Sequence, residues 1–460
     1  MQPVTTLRGW LDHLAQHDRL AIIRREVALR HELAAISKRL DGRYATFFPR
    51  PGGHPMPVVS GLLGDRRWIA DAMGVAGDAV LRHFSAAAAN PLPWREVASG
   101  PAQDVVHEHV DLAQQLPIPT HNELDSGPYV SAGLMISRNP RNGRQNVSIH
   151  RCQVSGPDEF GVLLLPRHTN AYFEMAERDN APLPVAIVIG MDPLTMLASQ
   201  AIVPLDHDEL EIAGALHGTP LEVVKCGTSE VRVPAQAEIV LEGRVLPGRR
   251  APEGPFGEFP QYYGERADRH IVKIDRITHR RDAIFHTIVG GANEHLLLGA
   301  IPREATIRGL LQRSFPCVQD VHLSMGGVGR YVLYVRLRHQ QPGEARNVIF
   351  GAFAAHYDVK HVIVVDDDVD IHDPREVEWA VTTRAQADRD LIVASHTQGS
   401  KLDPSADHGI GAKMGIDATV PHDAPPGKFT RIRVPGEEAV DPAQVIDAAA
   451  AGDWRRAQSA

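Results

Sequence analysis

The chain has 460 residues, 43% of them hydrophobic and 23% charged, and a net charge of −9. That length exceeds what one core usually serves, so two or three domains are expected, and the acidic balance leaves no electrostatic footprint for nucleic acid. No basic leader with an apolar stretch opens the sequence, no apolar run is long enough to span a bilayer, and the widely spaced Cys152, Cys226 and Cys317 fit neither a disulfide framework nor a zinc motif.

The expectation is a cytoplasmic protein with no stable membrane insertion. Its 24 histidines lie mostly singly in polar contexts, so their number alone points to no metal.

The chain opens with a helical pattern, Leu7, Trp10, Leu11 and Leu14, with Thr5 or Thr6 as N-cap. "LAIIRREV" reads as a strand and "HELAAISKRL" as a second helix, up to a Pro-rich break near "NPLPWREV" and "LPIPTH". From about residue 120 the character changes. "NVSIHRCQV", "FGVLLLP", "LPVAIVIGM", "LEVVKC", "AEIVLEGRVL" and "RHIVKIDRITHR" are short β-rich runs parted by turn residues, the pattern of an all-β barrel or sandwich. After about residue 300 the pattern is α/β again: "PREATIRGLLQRSF" is helical, and "VQDVHLSM" and "YVLYVRL" are strands. "HVIVVDDDVDIHDPREVEWAVTTRA…DLIVAS" reads as strand, helix, strand, a βαβ unit. The Ala-rich tail from Asp447 reads as a helix end.

The acidic run "VVDDDVDIHD" fails as a calcium loop, because Ile371 and Val377 stand where glycine and glutamate are needed; Asp373 instead reads as a helix cap. A more informative set is dispersed. Asn146, His150 and Arg151 share one strand, His168 ends an apolar run, and Glu209 and Glu211 open a helix. Asn, His and Glu from three elements make a hard O/N donor set suited to Mn²⁺ or Mg²⁺, with both glutamates open as the third ligand. Singly, such residues are most often surface or structural. In "PEGPFGEFPQYYGE", Gly and Pro forbid a continuous helix, so Glu253 and Glu258 are placed by turn geometry. They suit a general acid and an acid that orients an arginine, set against a solvated loop.

Taken together, "NVSIHR", "RH" after an apolar strand, "DELEIAGAL", "VPAQAEIVLEG", "EGPFGE" and "SADHGIGAKMGIDAT" resemble the UbiD family of reversible decarboxylases that use prenylated FMN. The likeness runs from about residue 5 to residue 425. It implies an α+β multidomain chain: an N-terminal α/β domain (1–118), a split β-barrel of flavin reductase type that binds the cofactor (119–312), and a C-terminal α/β domain (313–460) that supports a homodimer or higher oligomer.

The resemblance also assigns residues. Asn146, His168 and Glu209 become ligands of Mn²⁺ or another divalent cation, Glu209 being preferred to Glu211 for its five-residue offset to Gly214–Ala215. Leu197–Ala201, with Ala198, Ser199 and Ala201, matches a stretch binding K⁺ and the cofactor phosphate. Val147, Ser148, Ile149, His150 and Arg167 line the cofactor, and Arg151, Glu253 and Glu258 form the catalytic set. Lys413 matches a family lysine to which no role is assigned.

Loss of CO₂ from an sp² carbon leaves a carbanion that no side chain can absorb, so a cofactor must serve as electron sink. Arg151 then holds the carboxylate, Glu253 holds Arg151, and Glu258 delivers the proton. Asn293, His295 and Arg303 stand in an apolar stretch that should border the substrate pocket. They suit a heteroatom or a second carboxylate. Because similar His and Arg placements occur in family members acting on furan or pyrrole acids, the resemblance implies a small (hetero)aromatic or α,β-unsaturated acid, a furan or pyrrole carboxylate being favoured. The alternatives are a phenolic acid of 4-hydroxybenzoate type, a non-catalytic flavin-binding assembly protein, and a metal hydrolase. The implied partners are the small acid, CO₂ and a flavin prenyltransferase that supplies the cofactor.

Overall fold

Six antiparallel strands close on themselves in the middle of the chain: β1 (Tyr129–Arg138), β2 (Gln145–Val154), β3 (Glu159–Val162), β4 (Leu183–Ile189), β5 (Ile239–Glu253) and β6 (Ala267–His279). Their order is β5-β4-β1-β2-β3-β6, and β6 pairs back onto β5. This computed structural model describes residues 2–338 and 340–446; the expected helix end from Asp447 lies outside the described residues.

Alternation builds the barrel. On β4, Val185, Ile187 and Ile189 join one apolar cluster while Ala186 and Val188 join another, so both faces of the strand are buried. On β1 the parity changes partway. A register shift between Val130 and Gly133 inserts an extra residue, and Val130 and Met135, an odd number apart, then fall in the same cluster.

The N-terminal part holds the helix Leu7–Gln16, which buries Leu7, Trp10, Leu11 and Leu14; of the two threonines expected as caps, Thr6 takes the role, accepting from Gly9 N at 3.1 Å. Its sheet is small. "LAIIRREV" yields only the strand Leu20–Ile22, and a fourth strand, Phe285–His286, reaches this sheet from beyond the barrel. Val105–His107 runs the other way, pairing with β6.

Four helices matter for the site: α1 (His168–Arg178), α2 (Pro193–Ala198), α3 (Glu209–His217) and α4 (Asn293–Ser314). The last is longer than "PREATIRGLLQRSF" implies, because it continues through Pro302 back to Asn293. Burial overrides the proline: Leu296, Leu297, Leu298 and Ile301 all pack inward, and that packing outweighs one missing N–H.

The C-terminal sheet corrects one expectation. Its order is Val318–Leu323, Val332–Leu337, His361–Asp366, Ile410–Asp417, Leu391–Gln398. Leu391–Gln398 pairs only with Ile410–Asp417, antiparallel, so the segment 361–398 is not a βαβ unit. The βαβ unit is Val332–Leu337, the helix Glu344–Ala355 and His361–Asp366, whose strands are adjacent and parallel. The reason lies in the strand itself: Leu391 and Val393 are exposed, as an edge strand allows and an interior parallel strand does not.

Residues to Thr419 form one compact unit and those from Val420 a second, which carries the short helix Pro442–Val445. Among the described residues, no helix is long and apolar enough to cross a membrane.

Candidate active site

Strand β2 carries two polar clusters on opposite faces. Its period of two sets Val147, Ile149, Arg151 and Gln153 on one side and Asn146, Ser148 and His150 on the other.

On the first face, the Arg151 guanidinium lies between two carboxylates. Nη2 donates to Glu253 Oε2 at 2.8 Å, and Nη1 donates to Glu258 Oε1. All three side chains are nearly buried, at 8%, 0% and 12% exposure, so these ion pairs are poorly screened by water. Burial works against the charge on Arg151, but the two carboxylates outweigh it and hold the guanidinium protonated.

The Glu253–Glu258 segment is fastened from behind. Gly254 N donates to Gln153 Oε1 (2.9 Å) and Gly257 N to Asp125 Oδ1 (2.8 Å). The Gly254–Pro255 peptide is cis, and Gly254 has a φ of +90°, where an added Cβ would meet Glu265 O at 2.9 Å; only glycine fits. Phe256 lies under the guanidinium, 5.4 Å from its centre. Arg151 Nε is buried without a partner, so a donor edge remains for a further anion.

On the second face, one terminal atom of the Asn146 amide lies 3.0 Å from His168 Nδ1 and 3.3 Å from Glu209 Oε1. With the oxygen at that position, an amide oxygen, an imidazole nitrogen and a carboxylate oxygen converge. Rotating the amide satisfies the three by hydrogen bonds; a cation satisfies them with the oxygen inward. Glu209 is 3% exposed, and burial pushes its carboxyl well above the usual carboxylate range, with Val147 N–H (2.6 Å) pulling the other way. Burial and the neighbouring Arg167 hold His168 below the ordinary imidazole value, hence neutral and able to ligate. Glu211 pairs instead with Arg144 at 3.3 Å, which separates the two candidate glutamates.

The same place suits an anionic cofactor group. Helix α1 starts here with Arg167 at its N-cap and no side-chain cap, so its first N–H groups face outward beside the Ser148 and Thr169 hydroxyls, which lie 3.3 Å apart. These residues fit a phosphate neutralised by a divalent cation. His150 is half-buried, donates or accepts at Ser148 Oγ (2.9 Å), and is pushed down to about 4 by desolvation. Arg167 is itself exposed and donates to the Tyr357 hydroxyl (2.6 Å). Ala198, Ser199 and Ala201 end helix α2, which is tied to α3 by the buried Asp192–His217 pair at 2.9 Å.

Of the expected substrate residues, Asn293, His295 and Arg303 are all half-buried, and Asn293 is distinguished by its partners. The Asn293 amide donates to Gly64 O (3.0 Å) and its backbone N–H to Asp41 Oδ2 (2.8 Å). His295 is pushed down to about 3, by burial first and then by Arg330. Arg303 has Asp358 3.6 Å away, and its Nε lacks a hydrogen-bond partner.

Arg330, which sequence reasoning missed, is 6% exposed, lies over the Phe259 ring at 4.7 Å, and makes only long (3.4 Å) hydrogen bonds to the Leu296 and Gly329 carbonyls. Burial and Arg303 push it down to about 9. Its only sequence signal was a Gly-rich turn. Lys413 donates to the Tyr357 and Val359 carbonyls (3.0 and 2.7 Å), anchoring the segment that carries Asp358. A cavity of about 440 Å³ lies on the other side of Asp125 and Ser126, but its lining is mostly apolar and brings no comparable set of charges together.

A closed six-stranded barrel carries an arginine clamped by two carboxylates on one face of a strand and an Asn–His–Glu cluster on the other, and likeness to known proteins gives this arrangement its class, a carboxy-lyase. The sequence matches the three domains described for 3-octaprenyl-4-hydroxybenzoate carboxy-lyase: N-terminal (residues 11–88), Rift-related (95–293) and C-terminal (296–418). It is 47% identical to the UbiD-class enzyme HmfF from Pelotomaculum thermopropionicum, solved with FMN, with a TM-score of 0.95 over 96% of this chain and 100% of that one. It is 30% identical to the 3,4-dihydroxybenzoic acid decarboxylase of Enterobacter cloacae, with a TM-score of 0.89 over 96% and 99% of the two chains. Among curated proteins it is 36% identical to the anhydromevalonate phosphate decarboxylase of Methanothermobacter thermautotrophicus, over 93% of this chain and 99% of that one. The chain belongs to the UbiD family and is a UbiD-class decarboxylase.

Proposed function

We propose that this decarboxylase acts on a small heteroaromatic acid bearing a second anionic group, with prenylated FMN as cofactor. The carrying observation is the single guanidinium of Arg151 bridged by Glu253 and Glu258. An arginine has five N–H donors and two are taken here, so the rest, Nε included, can grip a substrate carboxylate.

Asn146, His168 and Glu209 would hold a divalent cation, with K⁺ near Ala198–Ala201, and the residues Val147–His150 and Arg167 would line the cofactor. Prenylated FMN, when bound, supplies the electron sink that side chains lack. The protein's own tasks are to hold the carboxylate at Arg151, to keep that arginine oriented through Glu253, and to protonate the carbon that loses CO₂ from Glu258.

The named relatives act on a phosphorylated acid and on a dihydroxybenzoic acid, so membership alone does not choose a substrate. The pocket residues support one reading. Arg330 is buried and Arg303 half-buried, with Asp358 beside Arg303, while desolvation holds His295 and His356 neutral. That surplus positive charge favours an unsaturated acid with a second carboxylate over a neutral phenol.

The test is the purified, flavin-loaded protein on a panel of furan and pyrrole mono- and dicarboxylates, 3,4-dihydroxybenzoate and cinnamate. Dicarboxylate turnover at the highest kcat/KM is expected, and preference for the phenolic acid would overturn the substrate reading. A second copy of the chain, through the C-terminal domain, is the expected assembly.

A further inference from the structure

We propose that Tyr129 decides which of the two carboxylates on Arg151 carries the proton: its hydroxyl fixes Glu253 as the anion and leaves Glu258 as the acid. The inference rests on the decarboxylase reading above. With substrate bound, three carboxylates would face one guanidinium in a buried site, so one must be neutral. Proton delivery requires that the neutral one be Glu258, yet Arg151 grips both glutamates and supplies no preference by itself.

Tyr129 supplies the asymmetry. It is fully buried, and its hydroxyl donates to Glu253 Oε1 at 3.2 Å while Arg151 holds Oε2. Among the described residues, the Glu258 carboxylate has Arg151 as its hydrogen-bond partner and no hydroxyl. The Tyr129 hydroxyl also lies 3.0 Å from Gln153 Oε1, but that oxygen already accepts from Gly254 N at 2.9 Å; a carboxylate is the stronger acceptor. Ser126 Oγ, 3.1 Å away, can donate to the tyrosine oxygen and free its proton for Glu253.

The charged and titratable groups facing Glu253 are Arg151, Tyr129 and Cys152, the last two kept protonated by burial; Arg151 and Arg330 face Glu258. The Tyr129 ring packs on Phe256 at 4.4 Å, the ring that also underlies Arg151, so Tyr129→Phe removes the hydroxyl and keeps the packing. Tyr129 is thus a positioning residue that acts through Glu253.

The experiment is Tyr129→Phe, alone and combined with Glu253→Gln and Glu258→Gln, read two ways. In infrared spectra of the loaded protein saturated with a monocarboxylate that it does not turn over, the protonated-carboxyl band of the parent should vanish in Glu258→Gln and survive in Glu253→Gln. In the Tyr129→Phe background, that dependence should move toward Glu253. In kinetics, Tyr129→Phe should lower kcat about tenfold, the equivalent of one unit of proton affinity, with KM changed less than about twofold. Added to Glu253→Gln it should change nothing further.

A parent-like band pattern, or an effect that multiplies with Glu253→Gln, overturns the proposal. A parent protein without decarboxylation on any acid sinks the functional reading instead, while the infrared bands still report where the proton sits.

Discussion

Asn146 and Arg151 stand on one strand, on opposite faces, and each anchors a cluster containing buried glutamate, yet the two clusters are balanced differently. Around Arg151 the charges meet within the chain: a guanidinium faces Glu253 and Glu258, and the carboxylates keep it protonated. Around Asn146 they do not. Glu209 is as buried as Glu253 but has an amide, a neutral imidazole and a backbone N–H for neighbours, and its carboxyl is pushed upward. A buried carboxylate without a cation is costly. The contrast separates a cluster whose charges are balanced within the chain from one whose buried carboxylate has no cationic partner among the described residues.

Removing a member of each cluster should therefore have different consequences. The largest effect is expected for Glu258→Gln, which should lower decarboxylation and substrate hydrogen exchange by about 10³-fold, within the usual range for a general acid, and leave flavin content unchanged. Full turnover by that variant would remove Glu258 from the role.

Glu209→Ala should instead act through binding. Its affinity for Mn²⁺ should fall by more than about 100-fold, since loss of an outer-shell partner alone often costs 10- to 100-fold, and flavin retention should fall with it. Titration calorimetry with Mn²⁺ on flavin-loaded protein measures this. An unchanged isotherm would mean that the Asn146 cluster is held by hydrogen bonds alone.

Arg330→Met sharpens the substrate side. It should raise KM for a dicarboxylate about thirtyfold, roughly 2 kcal/mol for a hydrogen bond to a charged group, and leave a monocarboxylate nearly unaffected. Equal effects on both would make Arg330 a packing residue.

The smallest effect is in stability. A carboxyl raised in the folded state binds its proton more tightly there than in the unfolded chain. The contribution of Glu209 is therefore fully present below its unfolded pKa and is lost as pH rises through the folded value. Metal-free protein should lose Tm, relative to Glu209→Gln, as pH rises from about 4.3 upward. Mn²⁺ should restore that loss. A metal-free difference that stays flat or rises with pH would break the contrast between the clusters.

Much of this was legible in the sequence because it depends on local chemistry. Five of the six barrel strands announced themselves by apolar runs, but Tyr129–Arg138 was not among them and "LEVVKC" forms a strand, Glu222–Lys225, in a separate small sheet. Thr6 and Asp373 cap helices as their positions imply, and the Gly-Pro segment holds two carboxylates out of a helix. Errors arose where the partner decides. Leu391–Gln398 looks like the second strand of a βαβ unit until its pairing is known, because a run of apolar residues does not encode direction. The partner of Asn293 was equally hidden: its amide donates to Gly64 O, 229 residues away. Tyr129 carried no local signal and Arg330 only a Gly-rich turn: one meets Glu253 across 124 residues, and the other stands out only through its burial beside Arg303.

The sequence by itself determined which residue types were present in family order and how the rigid Glu253–Glu258 segment is built, since both depend on neighbours in the chain. Tertiary structure alone decided that Arg151 is balanced while Glu209 is not, that Glu209 and not Glu211 faces Asn146, and that Tyr129 reaches only one of the two carboxylates. Burial and the charge of a distant neighbour set those outcomes, and both are properties of the folded chain.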